Sequence, residues 1–143
     1  MKANDLMLGD YISVKPSGRP IKVAAVHHKK VAYHAVINKL TWVRESLLEP
    51  IPLTPEILEK NGFKKDAFTN LSPDFYFGND DFSICINLQS TCDKSKGIWI
   101  ENRKTRRSGG FNESRHSLQK EPLYVHELQH ALRLCGINKN IEL

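Results

Sequence analysis

The chain has 143 residues, of which 40% are hydrophobic and 26% charged, and it carries a net charge of +5. This composition is typical of a globular protein with a real core, in one domain or two small ones. No apolar run approaches the roughly 20 residues that a helix needs to cross a bilayer. The N-terminal residues lack the apolar core of a signal peptide, so none is predicted. Three cysteines without metal-ligand spacing favour a reducing compartment. We therefore expect a cytoplasmic protein without a membrane partner.

Residues 1–53 alternate short apolar runs with turn signals, of which 16–20 and 27–30 are the clearest. Strands are predicted at residues 11–14, 21–26, 31–37, 42–43 and 47–48. Short strands at this spacing predict a small antiparallel barrel of the SH3-like kind. The proline-flanked residues 49–52 are predicted to be an extended joint to the rest of the chain.

Residues 54–143 are predicted to form a second, α+β module. Thr54 and Pro55 suit the start of a short helix, which Asn61 and Gly62 end. Strands are predicted at residues 75–77, 82–88 and 97–101, and the second alternates apolar with polar residues, as a half-exposed strand does. The polar and basic residues 102–120 are predicted to be a loop. The fold prediction is therefore α+β: an SH3-like barrel, then a helix, three or four antiparallel strands and a closing helix.

The closing helix is predicted over residues 122–136, where the apolar residues recur at helical spacing. Pro122 suits its first turn and Gly136 its left-handed cap. The apolar stripe consists of Tyr124, Val125, Leu128, Ala131, Leu132 and Cys135. His126 and His130 lie on the side opposite this stripe, where we expect solvent.

The same helix contains the sequence His-Glu-Leu-Gln-His, which fits the H-E-x-x-H pattern of zinc-dependent peptidases. In that chemistry His126 and His130 bind zinc, and Glu127 is the base that activates a bound water. The alternative interpretation is the polar face of an amphipathic helix.

A catalytic zinc needs a third protein ligand, which the sequence does not single out. The positions that would extend the motif hold Arg133 and Gly136, and Glu142 lies in a tail that we predict to be frayed. Other donors exist at His27, His28, His34 and His116, with no diagnostic spacing. We therefore expect no cofactor, with a zinc metallohydrolase as the alternative function.

Three stretches of the chain carry a resemblance: KANDLMLGDYISV, EPIPLTPEILEKNGFKK and YVHELQHALRLCGINKNIEL. In this order they resemble a family of small proteins from gut Bacteroidetes, often encoded in prophage or other mobile-element regions, with no established activity. Similar proteins commonly close with Y-V-H-Q-L-Q-N, which replaces the counterparts of Glu127 and His130 and keeps the apolar stripe. The resemblance therefore implies a mobile-element origin and a packing role for the helix.

A basic, glycine-bearing run is the strongest remaining functional signal. It consists of Arg103, Lys104, Arg106 and Arg107, extended by Arg115. Such a run can neutralise several phosphates, with Tyr76, Phe77 or Trp99 as stacking faces, although charge blocks are often simply solvated. We predict a non-enzymatic binding or accessory protein that contacts nucleic acid or an acidic protein partner through this run.

Overall fold

The computed structural model describes residues 1–37, 39–65, 74–78, 82–89, 96–102, 115–119 and 123–143, with residues 102 and 115–119 described as backbone. The chain divides into two compact units. Unit 1 comprises Met1–Pro52 and Tyr124–His126, and unit 2 comprises Leu53–Leu123 and Glu127–Leu143. The architecture is a β-rich α+β fold of mostly antiparallel sheets, with a helix near the C-terminal end.

Unit 1 holds two three-stranded antiparallel sheets in its described residues. The strands are Tyr11–Val14 (β1), Arg19–Lys22 (β2), Ala25–His27 (β3), Lys30–Val36 (β4), Lys39–Arg44 (β5) and Leu48–Pro50 (β6). One sheet has the order β2-β1-β6 and the other the order β3-β4-β5, and 3-10 turns span Ala3–Asp5 and Glu45–Leu47.

The run 21–26, predicted as one strand, is divided between the two sheets. The Val23 amide donates to the Asp10 carbonyl at 2.8 Å, whereas the Ala24 amide donates to the Ala32 carbonyl at 2.8 Å. The chain thus changes its hydrogen-bonding partner within two residues, from the β1 side to β4. Both sheets contribute to one core, formed by Ala3, Leu6, Ile12, Ile21, Val23, Val31, Val43 and Leu48.

Unit 2 contains a short helix and one five-stranded antiparallel sheet in its described residues. The helix is Pro55–Lys60 (α1), and the strands are Lys64–Lys65 (β7), Phe75–Gly78 (β8), Phe82–Asn87 (β9), Gly97–Asn102 (β10) and Arg115–Gln119 (β11). Their order is β11-β10-β9-β8-β7. The sheet is wider than the three or four strands we predicted, because residues 64–65 pair with β8 and residues 115–119, predicted as loop, pair with β10.

The central strand β9 is buried on both faces. Ile84 and Ile86 are buried on one face as predicted, but Ser83, Cys85 and Asn87 on the other face are buried as well. The prediction of a half-exposed strand is therefore wrong. These polar groups tolerate burial because they find partners: the Asp74 amide donates to Asn87 Oδ1 at 3.0 Å, for example.

Helix α1 begins and ends as predicted. Thr54 caps it, since its Oγ1 accepts a hydrogen bond from the Ile57 amide at 3.4 Å. A side-chain hydrogen bond with Thr54 lowers the pKa of the exposed Glu56 below its usual value. Gly62 has φ +74° and its amide donates to the Glu59 carbonyl at 2.9 Å, which closes the helix with a left-handed residue.

The C-terminal tail is tied to the end of α1, so the prediction that it frays is wrong. The buried Asn61 side chain donates to the Glu142 carbonyl at 2.7 Å and accepts from the Glu142 amide at 2.9 Å. The neighbouring Ile141 is fully buried. An amide side chain with both its donor and its acceptor used on one residue fixes that residue firmly.

The closing helix (α2) spans Val125–Leu134. It starts later than predicted, because Tyr124, the residue before it, forms an antiparallel bridge with Pro52. The predicted first-turn residue Pro122 lies outside the described residues. Gly136 has φ +69°, which confirms the predicted left-handed cap. Among the described residues, no helix has the length and apolarity needed to cross a membrane.

Candidate functional site

Helix α2 is buried over most of its circumference, which changes the position of the H-E-x-x-H motif. His126 is only 6% exposed, and Gln129 is buried beside the apolar Val125, Leu128 and Leu132. The prediction that His126 faces solvent is therefore wrong. The imidazole lies parallel to the Tyr124 ring, with centroids 5.8 Å apart and planes 12° apart, and this stacking shields it from water.

The motif lacks a described third ligand. His130 and Glu127 are half-buried on α2. Within the described residues, no group of three or more His, Cys, Asp or Glu side chains is arranged to hold a metal ion. His27, His28 and His34 are exposed on β3, β4 and the turn that joins them, and the side chain of His116 is not among those described. The zinc hypothesis stays a prediction that rests on the motif alone.

The predicted basic run cannot be placed. Arg103, Lys104, Arg106 and Arg107 lie outside the described residues, and Arg115 is described as backbone in β11. The predicted stacking residues near it are half-buried in unit 2, where Phe77 packs against Phe63 with centroids 5.0 Å apart and lies under Lys139 Nζ. Phe77 therefore already has neighbours on its ring.

A second basic region was missed by the sequence analysis, although its signal is in the sequence. Residues 11–44 contain no Asp or Glu, and they hold Lys15, Arg19, Lys22, Lys29, Lys30, Lys39 and Arg44. The remaining residues hold 14 Lys and Arg against 16 Asp and Glu. All of the net positive charge therefore belongs to the stretch that forms β1 to β5. Counting charge along segments, rather than over the chain, would have found it.

The acidic residues that flank this stretch are engaged in structural contacts. The carboxylate of the buried Asp10 accepts the Met7 amide at 2.8 Å. Glu45 accepts the Ala3 amide at 3.1 Å, and Glu49 pairs with Lys15 at 2.7 Å. These contacts orient the carboxylates toward the backbone of unit 1 or toward Lys15. The Glu49 carboxylate therefore offsets the charge of Lys15, which follows β1.

Two of the seven cations in residues 11–44, Lys30 and Arg44, lie on one face of the sheet β3-β4-β5. Val31, Val43, Val26 and Tyr33 pack into or against the core, so the residues that alternate with them point the opposite way. We call this opposite surface the outer face. Its larger side chains are all exposed and consist of His27, Lys30, His34, Leu40, Trp42 and Arg44.

The outer face is organised in rows across the strands. Ala25, Ala32 and Trp42 form one row, and His27, Lys30 and Arg44 form the next, according to the strand register. His34 lies opposite Leu40 on the other side of the Trp42 row. The indole of Trp42 is 48% exposed, and the His27 ring meets it edge-on, with centroids 6.2 Å apart and planes at 82°.

A basic cavity adjoins the outer face at His34. Its volume is about 380 Å³, and its lining includes Arg19, Lys22 and Tyr33 as well as His34. Lys22 Nζ also lies 5.6 Å from the centre of the Tyr11 ring, which is its cross-strand neighbour. The cavity therefore extends the positive surface from β4 to β2 within unit 1.

The larger cavity of unit 2 has a different character. Its volume is about 490 Å³, with apolar walls that include Leu53, Phe75 and Leu88. Its two charged residues have partners, because Lys65 pairs with Glu59 at 2.5 Å and Asp74 accepts the Leu88 amide at 2.9 Å. It offers little uncompensated charge to a ligand.

The outer face thus joins exposed cations, two imidazoles and a half-exposed indole on one rigid sheet. This set of groups can neutralise an anion and stack on a planar ring. No protein-family model, curated protein or solved structure matches this chain.

Proposed function

We propose that unit 1 is a non-enzymatic nucleic-acid-binding module and that its outer face contacts the phosphate backbone. The observation that carries this proposal is the segregation of charge: residues 11–44 hold seven Lys and Arg and no Asp or Glu, and two of the seven, Lys30 and Arg44, lie on the outer face. Clustered cations release counterions from a nucleic acid when they replace them at the phosphates, and this release drives sequence-independent binding. Lys30 and Arg44 lie opposite each other on β4 and β5, so one strand of phosphates can meet both.

We further propose that unit 1 has an SH3-like architecture. In support, β2 and β3 are separated by only two residues but belong to different sheets. A strand that bends from one sheet into another in a small β module has this arrangement. The last strand, β6, returns antiparallel to the first, β1, after the Glu45–Leu47 turn. Such small β modules carry many unrelated functions, so the fold by itself does not argue for nucleic acid.

The proposal is tested by the salt dependence of binding. Fluorescence anisotropy measures the affinity of the full chain for labelled DNA of about 20 nucleotides, longer than the sites of small binding folds. We expect a linear fall of log K with log salt, with a slope of about −0.7 per neutralised phosphate for a single strand and −0.9 for a duplex. In the double variant Lys30→Ala/Arg44→Ala the slope should be less steep by about 1.4 for a single strand and by about 1.8 for a duplex.

The matched control is Lys60→Ala/Lys64→Ala, which removes the same charge from exposed positions in unit 2. We expect this control to keep nearly the slope of the unchanged protein. Equal losses for both double variants would mean that net charge alone attracts the DNA, and the proposed site would be wrong. Absence of salt-dependent binding would overturn the function itself and leave an acidic protein as the ligand to examine.

The basic run Arg103, Lys104, Arg106 and Arg107 is the rival location for the same function. Replacing all four residues with alanine separates the two surfaces. If this variant abolished binding while Lys30→Ala/Arg44→Ala kept it, the binding site would belong to unit 2. We expect the opposite ranking per charge removed, because the cations of the outer face share one sheet with an exposed indole.

A further inference from the structure

We infer that the ligand of the outer face is a single-stranded nucleic acid, one of whose bases stacks on the indole of Trp42. This inference rests on the proposed function and adds the form of the nucleic acid and the residue that selects it. The cations of unit 1 account for attraction to any polyanion. They do not account for a half-exposed indole beside Lys30 and Arg44 on the outer face.

The first support is the orientation of the indole. Ala32 lies directly opposite Trp42 on the outer face, yet it is fully buried. An alanine at an outward position is covered only if a larger neighbour leans across it. Trp42 is the large residue directly opposite and is 48% exposed, and an indole that covers Ala32 with one ring face presents the other to solvent. This is the arrangement that a stacking base requires.

The second support is the space beside the ring. The row that contains Trp42 continues through the buried Ala32 to Ala25, whose small side chain leaves a shallow floor on β3. His27 meets the indole edge-on from the next row. A flat base can therefore lie over the indole without displacing a large side chain, and His27 limits rotation of the ring.

The third support is the spacing between the stacking and cationic groups. Lys30 and Arg44 lie two residues along their strands from Ala32 and Trp42, a separation of about 7 Å. This length is comparable with that of one nucleotide from base to phosphate. A base on the indole thus brings its own backbone within reach of these two cations.

The basic cavity indicates the path of the nucleic-acid strand beyond the Trp42 row. His34 belongs both to the outer face and to the cavity wall, which also includes Arg19 and Lys22. Phosphates that leave the Trp42 row on this side meet a second group of cations. A single strand, which bends freely, can follow the path from Arg44 to Arg19.

A duplex fits this surface poorly. Its bases already stack on one another, so an indole face reaches them only after a base step is opened, at a cost of a few kcal/mol per step. Unpaired bases carry no such cost. The indole should therefore increase affinity for a single strand and leave duplex affinity to the cations alone.

The test compares single-stranded oligothymidylate of about 20 nucleotides with a duplex of the same length, at one salt concentration. Trp42→Ala should weaken single-strand binding about 5- to 150-fold, the range measured for the loss of one stacking residue. Its duplex affinity should change by less than about twofold. Trp42→Phe, which keeps an aromatic face, should recover most of the loss. Leu47→Ala, which changes an exposed apolar residue of unit 1 away from the outer face, is the control and should leave both affinities unchanged.

Intrinsic fluorescence gives a second readout that does not depend on stability. The chain has two tryptophans, Trp42 and Trp99. Quenching on addition of oligothymidylate should occur in the unchanged protein and disappear in Trp42→Phe, because stacking brings the base onto the Trp42 indole.

The outcomes separate the two proposals. Equal losses on single strand and duplex for Trp42→Ala, or no loss on either, would overturn the stacking inference while salt-dependent binding still supported the proposed function. Quenching that survives in Trp42→Phe would overturn it as well. Absence of binding to both nucleic acids, together with a flat salt response, would remove the proposed function and this inference with it.

Discussion

The two regions that differ most instructively are the sheet β3-β4-β5 of unit 1 and the five-stranded sheet of unit 2. Both alternate apolar with polar residues along their strands. In unit 1 the larger side chains opposite the core are exposed and include Trp42, Leu40, Lys30 and Arg44. In unit 2 the polar face of β9 is buried, and Cys85 Sγ lies 4.0 Å from Glu101 Oε2. Alternation thus separates the two faces of a strand, but it does not identify which polar face meets solvent.

This difference directs attention to the exposed face for function. A buried polar face has satisfied its hydrogen bonds within the protein, and its residues stabilise a unique packing. An exposed face with a large indole and unbalanced charge has no such structural purpose. The outer face is therefore the better place to look for a ligand.

The largest expected effect comes from placing an aspartate on the buried polar face of β9 and comparing it with an aspartate on the exposed outer face. Cys85→Asp introduces a carboxylate into a buried face beside Glu101 and should destabilise unit 2 by about 3–5 kcal/mol. His34→Asp, at an exposed position in β4, should cost less than about 1 kcal/mol. Urea-induced unfolding followed by circular dichroism measures both. Similar costs at the two positions would break the comparison.

A smaller but related difference is expected along helix α2. Leu128 is fully buried, and Leu128→Ala should cost about 2–5 kcal/mol through lost burial and the cavity left behind. Leu134 is 70% exposed, so Leu134→Ala should change the free energy of unfolding by less than about 0.5 kcal/mol. A negligible cost for Leu128→Ala in the same unfolding assay would show that the helix is not buried as described.

The smallest change in the free energy of unfolding among the substitutions at structurally important positions is expected at the start of α1 in unit 2. Thr54→Ala removes the cap and should cost about 1 kcal/mol. It should also raise the pKa of Glu56 toward its ordinary value, since the hydrogen bond from Thr54 is lost. A lowered folded-state pKa stabilises the protein above the ordinary pKa, and this contribution fades as pH falls through the lowered value. The variant should therefore show a weaker acid-dependent loss of stability from this group.

Carboxyl chemical shifts in an NMR pH titration measure the pKa of Glu56 directly. A value that does not move in Thr54→Ala would mean that another contact depresses it. Lys64→Ala, which changes an exposed residue of unit 2 without touching the cap, serves as the control.

The sequence predicted the elements whose signals are local. The cap at Thr54 and the left-handed Gly136 depend on neighbouring residues, and both are confirmed. The strand β1 was also predicted with its correct bounds. These features follow from backbone geometry and hydrogen bonds that span a few positions.

Features that depend on distant partners were predicted poorly. His126 was expected in solvent, but the Tyr124 ring covers it. The tail was expected to fray, but Asn61, 81 residues earlier, binds Glu142. The outer face depends on the register of three strands, which brings His27 and Trp42 together. The charge signal in residues 11–44 was available from the sequence, and the structure was required to place Lys30 and Arg44 beside Trp42 on one face.

The central claim is that nucleic acid binds the outer face, and chemical-shift mapping of the full chain with oligothymidylate tests it most directly. We expect the largest chemical-shift changes at the Trp42 indole proton and at the backbone amides of four residues of the outer face: His27, Lys30, Trp42 and Arg44. Progressive addition of salt should reverse them. Shifts confined to residues 103–110 or to helix α2, with the outer face unchanged, would contradict the account.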